Sequence, residues 1–356
     1  MIDILGRWFH RYFSDPQAVL LVILLIFGVT ILMTMGEMLA PVLASMVLAY
    51  LLEGLVNNLQ YWRIRRFPAV LIVFLGFITF LLFIIFVLTP LVYNQLSQLL
   101  QEFPTMIAHG RSILIQLPQE YPDFISVKQI ENLITTIKSA VGSVGHTLVS
   151  YSLASIPAII TVLVYAILVP LLIFFFLKDK KILLKWFTNF LPQERTAANV
   201  VWKEVDAQMG NYIRGKVYEI FIISVFTYIP FALMGLNYAS LLAVLVGLSV
   251  IIPYIGAAVV TIPVILVAYF QWGTGNDFMA VMIAYGIVQA FDGNVLVPLL
   301  FSEAVNLHPV AIILAVLVFG GLWGFWGVFF AIPLATLVKA LLNAWPRVPM
   351  HEAKEN

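Results

Sequence analysis

Two stretches, Ala18–Met33 and Phe67–Val92, run almost unbroken in apolar residues over roughly the length a helix needs to cross a bilayer. Hydrocarbon offers no water to satisfy backbone N–H and C=O groups, so a spanning segment must satisfy them itself. Continuous apolar runs, rather than alternating ones, point to helices. The whole chain agrees: 62% of its 356 residues are hydrophobic and 10% charged, against roughly a quarter charged in soluble domains. The fold class read from this is an all-α polytopic membrane protein. It has about six full spans plus two re-entrant helical hairpins, with amphipathic helices outside the bilayer. There is no cysteine, which excludes disulfides, thiolate metal sites and a cysteine nucleophile.

Along the chain, residues 1–93 hold an N-terminal amphipathic helix and spans near 17–34, 38–56 and 67–93, with a tight turn expected at Thr34–Glu37. Residues 94–150 are read as extracytoplasmic amphipathic helices, because Ile130, Leu133, Ile134, Ile137 and Val141 recur at helical spacing between polar residues. A span at 151–177 leads into cytoplasmic amphipathic helices at 178–216. Residues 217–345 form a last, largely apolar unit interrupted at two points, and 346–356 a polar cytoplasmic tail.

Basic residues mark the cytoplasmic side. All but three of the 19 Lys and Arg residues fall in 1–16, 57–66, 178–216 and 339–356; the exceptions are Arg111, Lys128 and Lys138. This predicts a multi-pass protein with both termini cytoplasmic.

From Val217 to Val338 there is no Lys or Arg. With spans at 217–235 and 278–301, the interrupted segments 239–270 and 308–345 must together cross an even number of times. They read most simply as hairpins, the first broken at Pro253-Tyr-Ile-Gly256 and the second at Gly320–Gly327. On this topology the first enters from outside and the second from the cytoplasm. Gly256 and Ile262-Pro263 have counterparts in Gly327 and Ile332-Pro333. Such strings are short enough to recur by chance; a true repeat would make two inverted span-plus-hairpin units, a recurrent transporter plan. Pro253, Gly256, Pro263, Gly324, Gly327 and Pro333 are the expected tips and hinges. Gly321, Gly324 and Gly327 would share one face if that stretch were helical, allowing close packing.

The candidate chemistry lies in Asp292-Gly-Asn-Val-Leu-Val-Pro298. An ionisable group inside a span is costly and marks a function by default. Asp292 is the residue expected to exchange a proton or cation. Gly293 permits close backbone approach, Asn294 supplies an acceptor and donors, and Pro298 frees the Asn294 carbonyl. The alternative is a kinked helix whose polar groups satisfy one another. Glu303 and Asn306 follow in a polar linker that is equally well a solvated loop. Glu53 and Glu219, near span ends, read as interfacial anchors.

With four acids and no basic side chain in 217–338, the core suits a cation, a proton or a neutral hydroxylated solute. Gly210–Lys216 imitates a P-loop, but Val217 lacks the magnesium-binding hydroxyl and helix rather than strand precedes it. No enzyme signature, cofactor motif or nucleic-acid-binding pattern is present in the sequence.

Several strings together resemble the autoinducer-2 exporter family: Phe175-Phe-Leu-Lys-Asp179, Ile252-Pro-Tyr-Ile-Gly256, Asp292-Gly-Asn-Val-Leu-Val-Pro298, Asn306-Leu-His-Pro309 and Phe329–Pro333. The resemblance implies a homo-oligomeric, elevator-like secondary transporter of the cytoplasmic membrane. Some members of the family export autoinducer-2, and others are described as sodium/proton antiporters. The expected partners are the lipid bilayer, a small polar solute or cation, a coupling proton or sodium ion, and further copies of the chain. Two rival readings remain: a membrane scaffold recruiting an envelope protein, and a gated cation channel.

Overall fold

The computed structural model describes residues 16–114, 156–190, 196–253, 255–301 and 307–344, and scattered residues between 128 and 142. All regular structure among them is helical. The predicted sites Glu303 and Asn306, and Tyr254 at the first tip, lie outside the described residues.

The first correction comes at the start. Helix α1, Pro16–Tyr61, runs unbroken through Thr34–Glu37, where the sequence predicted a turn between two spans. Thr34 Oγ1 donates to Thr30 O at 2.7 Å, a helical contact at the first residue of the expected turn. Gly36 and Pro41 are weak breakers beside the alternative, which is unpaired backbone in an apolar medium. After Arg63, whose φ is 65°, α2 (Arg66–Phe83) passes through a π-turn (Ile84–Leu88) into α3 (Thr89–Leu114). The stretch Arg66–Gly110 is 45 residues long, about 67 Å at 1.5 Å per residue, or twice a hydrocarbon core. The third span therefore continues as a helix well beyond the membrane.

Helix α4 (Ile156–Lys178) ends at Asp179, and α5 (Lys180–Thr188) leaves it at 81°. Ile182, Trp186 and Phe187 on α5 are exposed beside Lys181 and Lys185, the pattern of a helix lying in the interface plane. Ala49, Val56, Ala69, Val70, Ile173 and Leu177 make the core of an N-terminal bundle of α1, α2 and α4. One end of this bundle is held by charge. Arg66 grips Glu53 with both terminal nitrogens at 3.2 Å and donates to Leu177 O at 2.7 Å, while Lys180 reaches Glu53 at 3.3 Å. Glu53 thus anchors three helices.

Helix α6 (Thr196–Leu233) is the spine of the second bundle. The predicted boundary at residue 216 falls inside it. Helices α7 (Ala239–Ser249) and α8 (Ile255–Trp272) form the first hairpin. Its second arm is 18 residues, longer than predicted and long enough to be a span by length alone. Its far end nevertheless returns to the start of the first arm. Gln271 Oε1 accepts from Asn237 N at 2.7 Å and Gln271 Nε2 donates to Gly235 O at 2.8 Å. Both ends of the hairpin therefore sit at one face. At the tip, a Cβ on Gly256 would overlap Ser249 O, so only glycine lets the arms close this tightly.

Helix α9 (Asn276–Phe291), a π-turn (Asp292–Leu296) and α10 (Val297–Phe301) form the next span. Helix α11 (Pro309–Phe329) and α12 (Ala331–Ala344) make the second hairpin. Trp323 and Gly324 are non-helical, Gly324 at φ 57°, ψ −134°, a region glycine alone enters freely. The three glycines expected on one packing face therefore do not share one; Gly324 is the hinge. A Cβ on Gly327 would overlap Phe319 O, repeating the relation of Gly256 to Ser249. The two tips thus share a device, with loops that differ by one residue. Ile332 clusters with Tyr212 and Ile213, and Ala340 with Val201, so the second hairpin packs along the N-terminal half of α6. The first hairpin packs along its C-terminal half, through Ile223, Phe231, Leu242 and Val246.

Candidate functional site: a buried ion cluster beside the first hairpin

Helix α6 carries Lys216 and Glu219, three residues apart and so on one face. Both are buried, with 5% and 2% of their surface exposed. Lys216 Nζ donates to Glu219 Oε2 at 2.7 Å and to Val250 O at 2.8 Å, and lies 5.2 Å from the centre of the Phe301 ring. One ammonium thus ties the spine to the first hairpin tip and to the end of α10. An ion pair so withdrawn from water persists only when its remaining donors are satisfied, and the Val250 carbonyl, freed by the end of α7, supplies that contact.

Asp292 completes the cluster. Its Oδ1 is buried and has no hydrogen-bond partner among the described residues. It lies close enough to Lys216 and Glu219 to act on both electrostatically. Lys216 and Glu219 cancel one another, so the cluster carries one uncompensated negative charge when all three groups are ionised. Such an arrangement calls for a proton or a cation.

A polar stripe leads away from Asp292 along α9. Gln289 Nε2 donates to Tyr285 Oη at 2.8 Å, and Tyr285 Oη lies 2.9 Å from Thr261 Oγ1 on α8. Residues 285, 289 and 292 follow helical spacing, so the stripe faces the second arm of the hairpin.

The other predicted site residues are placed differently. Asn294 is exposed, and its amide donates to Ala290 O at 2.8 Å. Gly293 and Pro298 are exposed, and nothing approaches within 4 Å of a Cβ built on Gly293. Asp292 therefore joins the buried cluster, while Gly293, Asn294 and Pro298 face away from it. Among the hinge residues, Gly256, Gly327 and Pro333 are buried, Pro253 and Pro263 half-buried and Gly324 exposed.

Proline explains the π-turn itself. Val297 N donates to Asp292 O, five residues back, because Pro298 has no N–H and its ring crowds the turn before it. The same occurs at Val87-Leu-Thr-Pro90, where Thr89 N donates to Ile84 O. That second π-turn holds no acid, so the wide turn is a backbone response to proline. What distinguishes residues 292–296 is the carboxylate it delivers to Lys216 and Glu219.

Sequence reasoning missed Lys216 and the Thr261–Tyr285–Gln289 chain, and read Glu219, which is buried, as an interfacial anchor. The one available signal was Lys216-x-x-Glu219 at the start of an apolar run. The inference that the core lacks a basic side chain is corrected here: Lys216 lies one residue outside 217–338, yet its ammonium reaches Val250 O of the first hairpin and the Phe301 ring.

Helices long and apolar enough to span, two hairpins on one spine and a buried ion cluster define a polytopic membrane transporter architecture. The model of the AI-2E family transporter matches residues 18–347, and the chain belongs to that family. It is 48% identical to the Escherichia coli K12 protein named "Putative permease PerM", across 97% of this chain and 98% of that one. It is also similar to the Bacillus subtilis proteins named "Putative transport protein YrrI" (24% identical, covering 85% of each chain) and "Putative transport protein YueF" (26%, covering 84% and 82%).

Proposed function

We propose that this protein is an ion-coupled secondary transporter of the bacterial cytoplasmic membrane that moves a small polar solute or cation. In this reading Asp292 binds the coupling proton or sodium ion, and Lys216 and Glu219 set the charge of its site. The observation that carries it is the buried, unpartnered Asp292 Oδ1 beside an ion pair that already neutralises itself. A buried carboxylate of this kind is stable when it holds a proton or a cation.

Two further features support the reading. Ile332 of the second hairpin clusters with Tyr212 and Ile213 of α6, and Val250 of the first tip accepts from Lys216, one turn further along the same helix. Both tips then meet the middle of the spine from opposite ends, as in transporters built from inverted repeats. The separate cores of the N-terminal bundle and of α6–α10 suit movement of one body against the other. The basic residues at 57–66 and 178–216 put the cytoplasm at the Arg66 end.

The test is flux in proteoliposomes under imposed proton and sodium gradients. Wild-type protein should show gradient-driven movement of one of these ions, and Asp292→Asn should abolish it without changing assembly. Unchanged coupled flux in Asp292→Asn would sink the assignment, and passive flux too fast for alternating access would make the protein a channel. Single cysteines at Thr274 and Asn343, introduced into this cysteine-free chain, should label from opposite sides.

A further inference from the structure

We infer that a second site, at the far end of the first hairpin from the ion cluster, binds a small organic ammonium group. A cavity of about 240 Å³ opens there between α3 and the turn joining α6 to α7, lined by Glu102, Met106, Asn237, Tyr238, Val267 and Phe270 among others. This inference does not depend on the coupling role of Asp292.

The turn is built rather than incidental. Tyr238 adopts φ 58°, ψ 25°, a left-handed conformation that bulky side chains avoid and that persists only where the surroundings enforce it. Two glutamines from different helices enforce it. Gln271 of α8 holds Asn237 N and Gly235 O, and Gln95 Oε1 of α3 accepts from Leu241 N at 2.8 Å. The strained backbone directs the Tyr238 hydroxyl at the Glu102 carboxylate. Tyr238 is 8% exposed, so its ring forms a wall, and its hydroxyl lies close enough to Glu102 to interact with the acid.

The chemistry of the walls selects the ligand. No Lys or Arg lines the cavity; its ionisable groups besides Tyr238 are the Glu102 carboxylate, which contributes a negative charge, and the His109 imidazole. Tyr238 and Phe270 line it with aromatic rings, which attract cations, and Met106 and Val267 offer apolar surface for attached carbon. A bare metal ion is poorly served: among the described residues no three acidic or imidazole groups converge on one point. An ammonium on a short hydrocarbon matches each wall, with its N–H groups toward Glu102 and the Asn237 amide. Glu102 is 36 residues beyond Arg66 on one helical rod, about 54 Å along it. It therefore lies at or past the membrane surface, where the ammonium could belong to a free solute or to a lipid headgroup.

Calorimetric titration of the full-length protein in detergent with ethanolamine tests the site. Wild-type protein should bind it saturably. Glu102→Gln should bind about tenfold or more weakly at an unchanged unfolding temperature. Asn237→Ala, which keeps the charge, should bind several-fold more weakly and serves if Glu102→Gln fails to assemble. Ethylene glycol, the neutral counterpart, should not compete. No saturable binding by the wild type, equal binding by Glu102→Gln, or equal binding of ethylene glycol would each overturn the proposal. In nanodiscs, ethanolamine binding that is lost when phosphatidylethanolamine replaces phosphatidylglycerol would assign the site to the lipid headgroup. Binding retained in both would assign it to a free solute.

Discussion

Lys216 Nζ lies 2.7 Å from Glu219 Oε2, one turn along the same helix, with 6% and 2% of the two side chains exposed. Removing Lys216 strands the buried Glu219 carboxylate, with Asp292 adding a second negative charge beside it. Lys216→Met should therefore destabilise the protein by about 3–5 kcal/mol, the range for breaking one partner of a buried pair. The double variant Lys216→Met/Glu219→Leu should recover most of that stability, since an apolar pair needs no compensation, while leaving coupled flux absent. Unfolding midpoints in detergent and proteoliposome flux measure the two effects.

The hairpin tips make a sharper prediction about glycine. Gly256→Ala and Gly327→Ala each drive a methyl into a carbonyl of the opposite arm, and each should cost about 1–3 kcal/mol or more in overpacking. Gly293→Ala has open space around it and should change stability by less than about 0.5 kcal/mol. Thermal unfolding of the three variants, side by side, checks the contrast.

The charge cluster of the N-terminal bundle depends on geometry. Arg66 makes two hydrogen bonds to Glu53 and a third to Leu177 O. A lysine cannot reproduce that fork. Arg66→Lys should lower stability by about 1–2 kcal/mol, discounted for the partial exposure of the arginine. High salt should weaken the wild type more than the variant.

Tyr238 supplies a pH dependence. Burial, and then the Glu102 carboxylate that its hydroxyl faces, push the phenol up to about 12 from its ordinary 10.0. A raised native value means that the folded protein holds the proton more tightly than the unfolded chain. The associated stability is complete below pH 10 and is lost as pH rises through about 12. Tyr238→Phe should show a shallower fall of unfolding midpoint across that window.

Asn294 and Asp292 should separate functionally. Asn294 bonds its own helix at Ala290 O and is exposed, so Asn294→Ala should leave ion coupling within about twofold of wild type. Asp292→Asn should remove it. Parallel flux assays on the two variants decide this.

Much of the fold was legible in local pattern. Apolar runs such as Phe67–Val92 announce helices because lipid leaves the backbone no other partner. Pro253, Gly256, Gly324 and Gly327 marked the two places where the core helices break, since those residues change the backbone whatever surrounds them. The same local logic failed at Thr34–Glu37, where a polar interruption did not outweigh helix continuity in an apolar setting. It failed again at Gly321–Gly327, where shared spacing suggested one face and the backbone turned instead.

By itself the sequence determined the membrane class, the helix breaks, the asymmetry of basic residues and the presence of an acid at position 292. Those properties follow from composition and from residues no more than a few positions apart. Tertiary structure alone decided that Asp292, from one helix, faces Lys216 and Glu219 from another, with Val250 of a hairpin tip holding the ammonium. It also turned Asn294 outward and brought Glu102 to a strained Tyr238 across a cavity. These relations join residues up to 136 positions apart, and helix packing, which no local pattern encodes, sets which side chains lose water together.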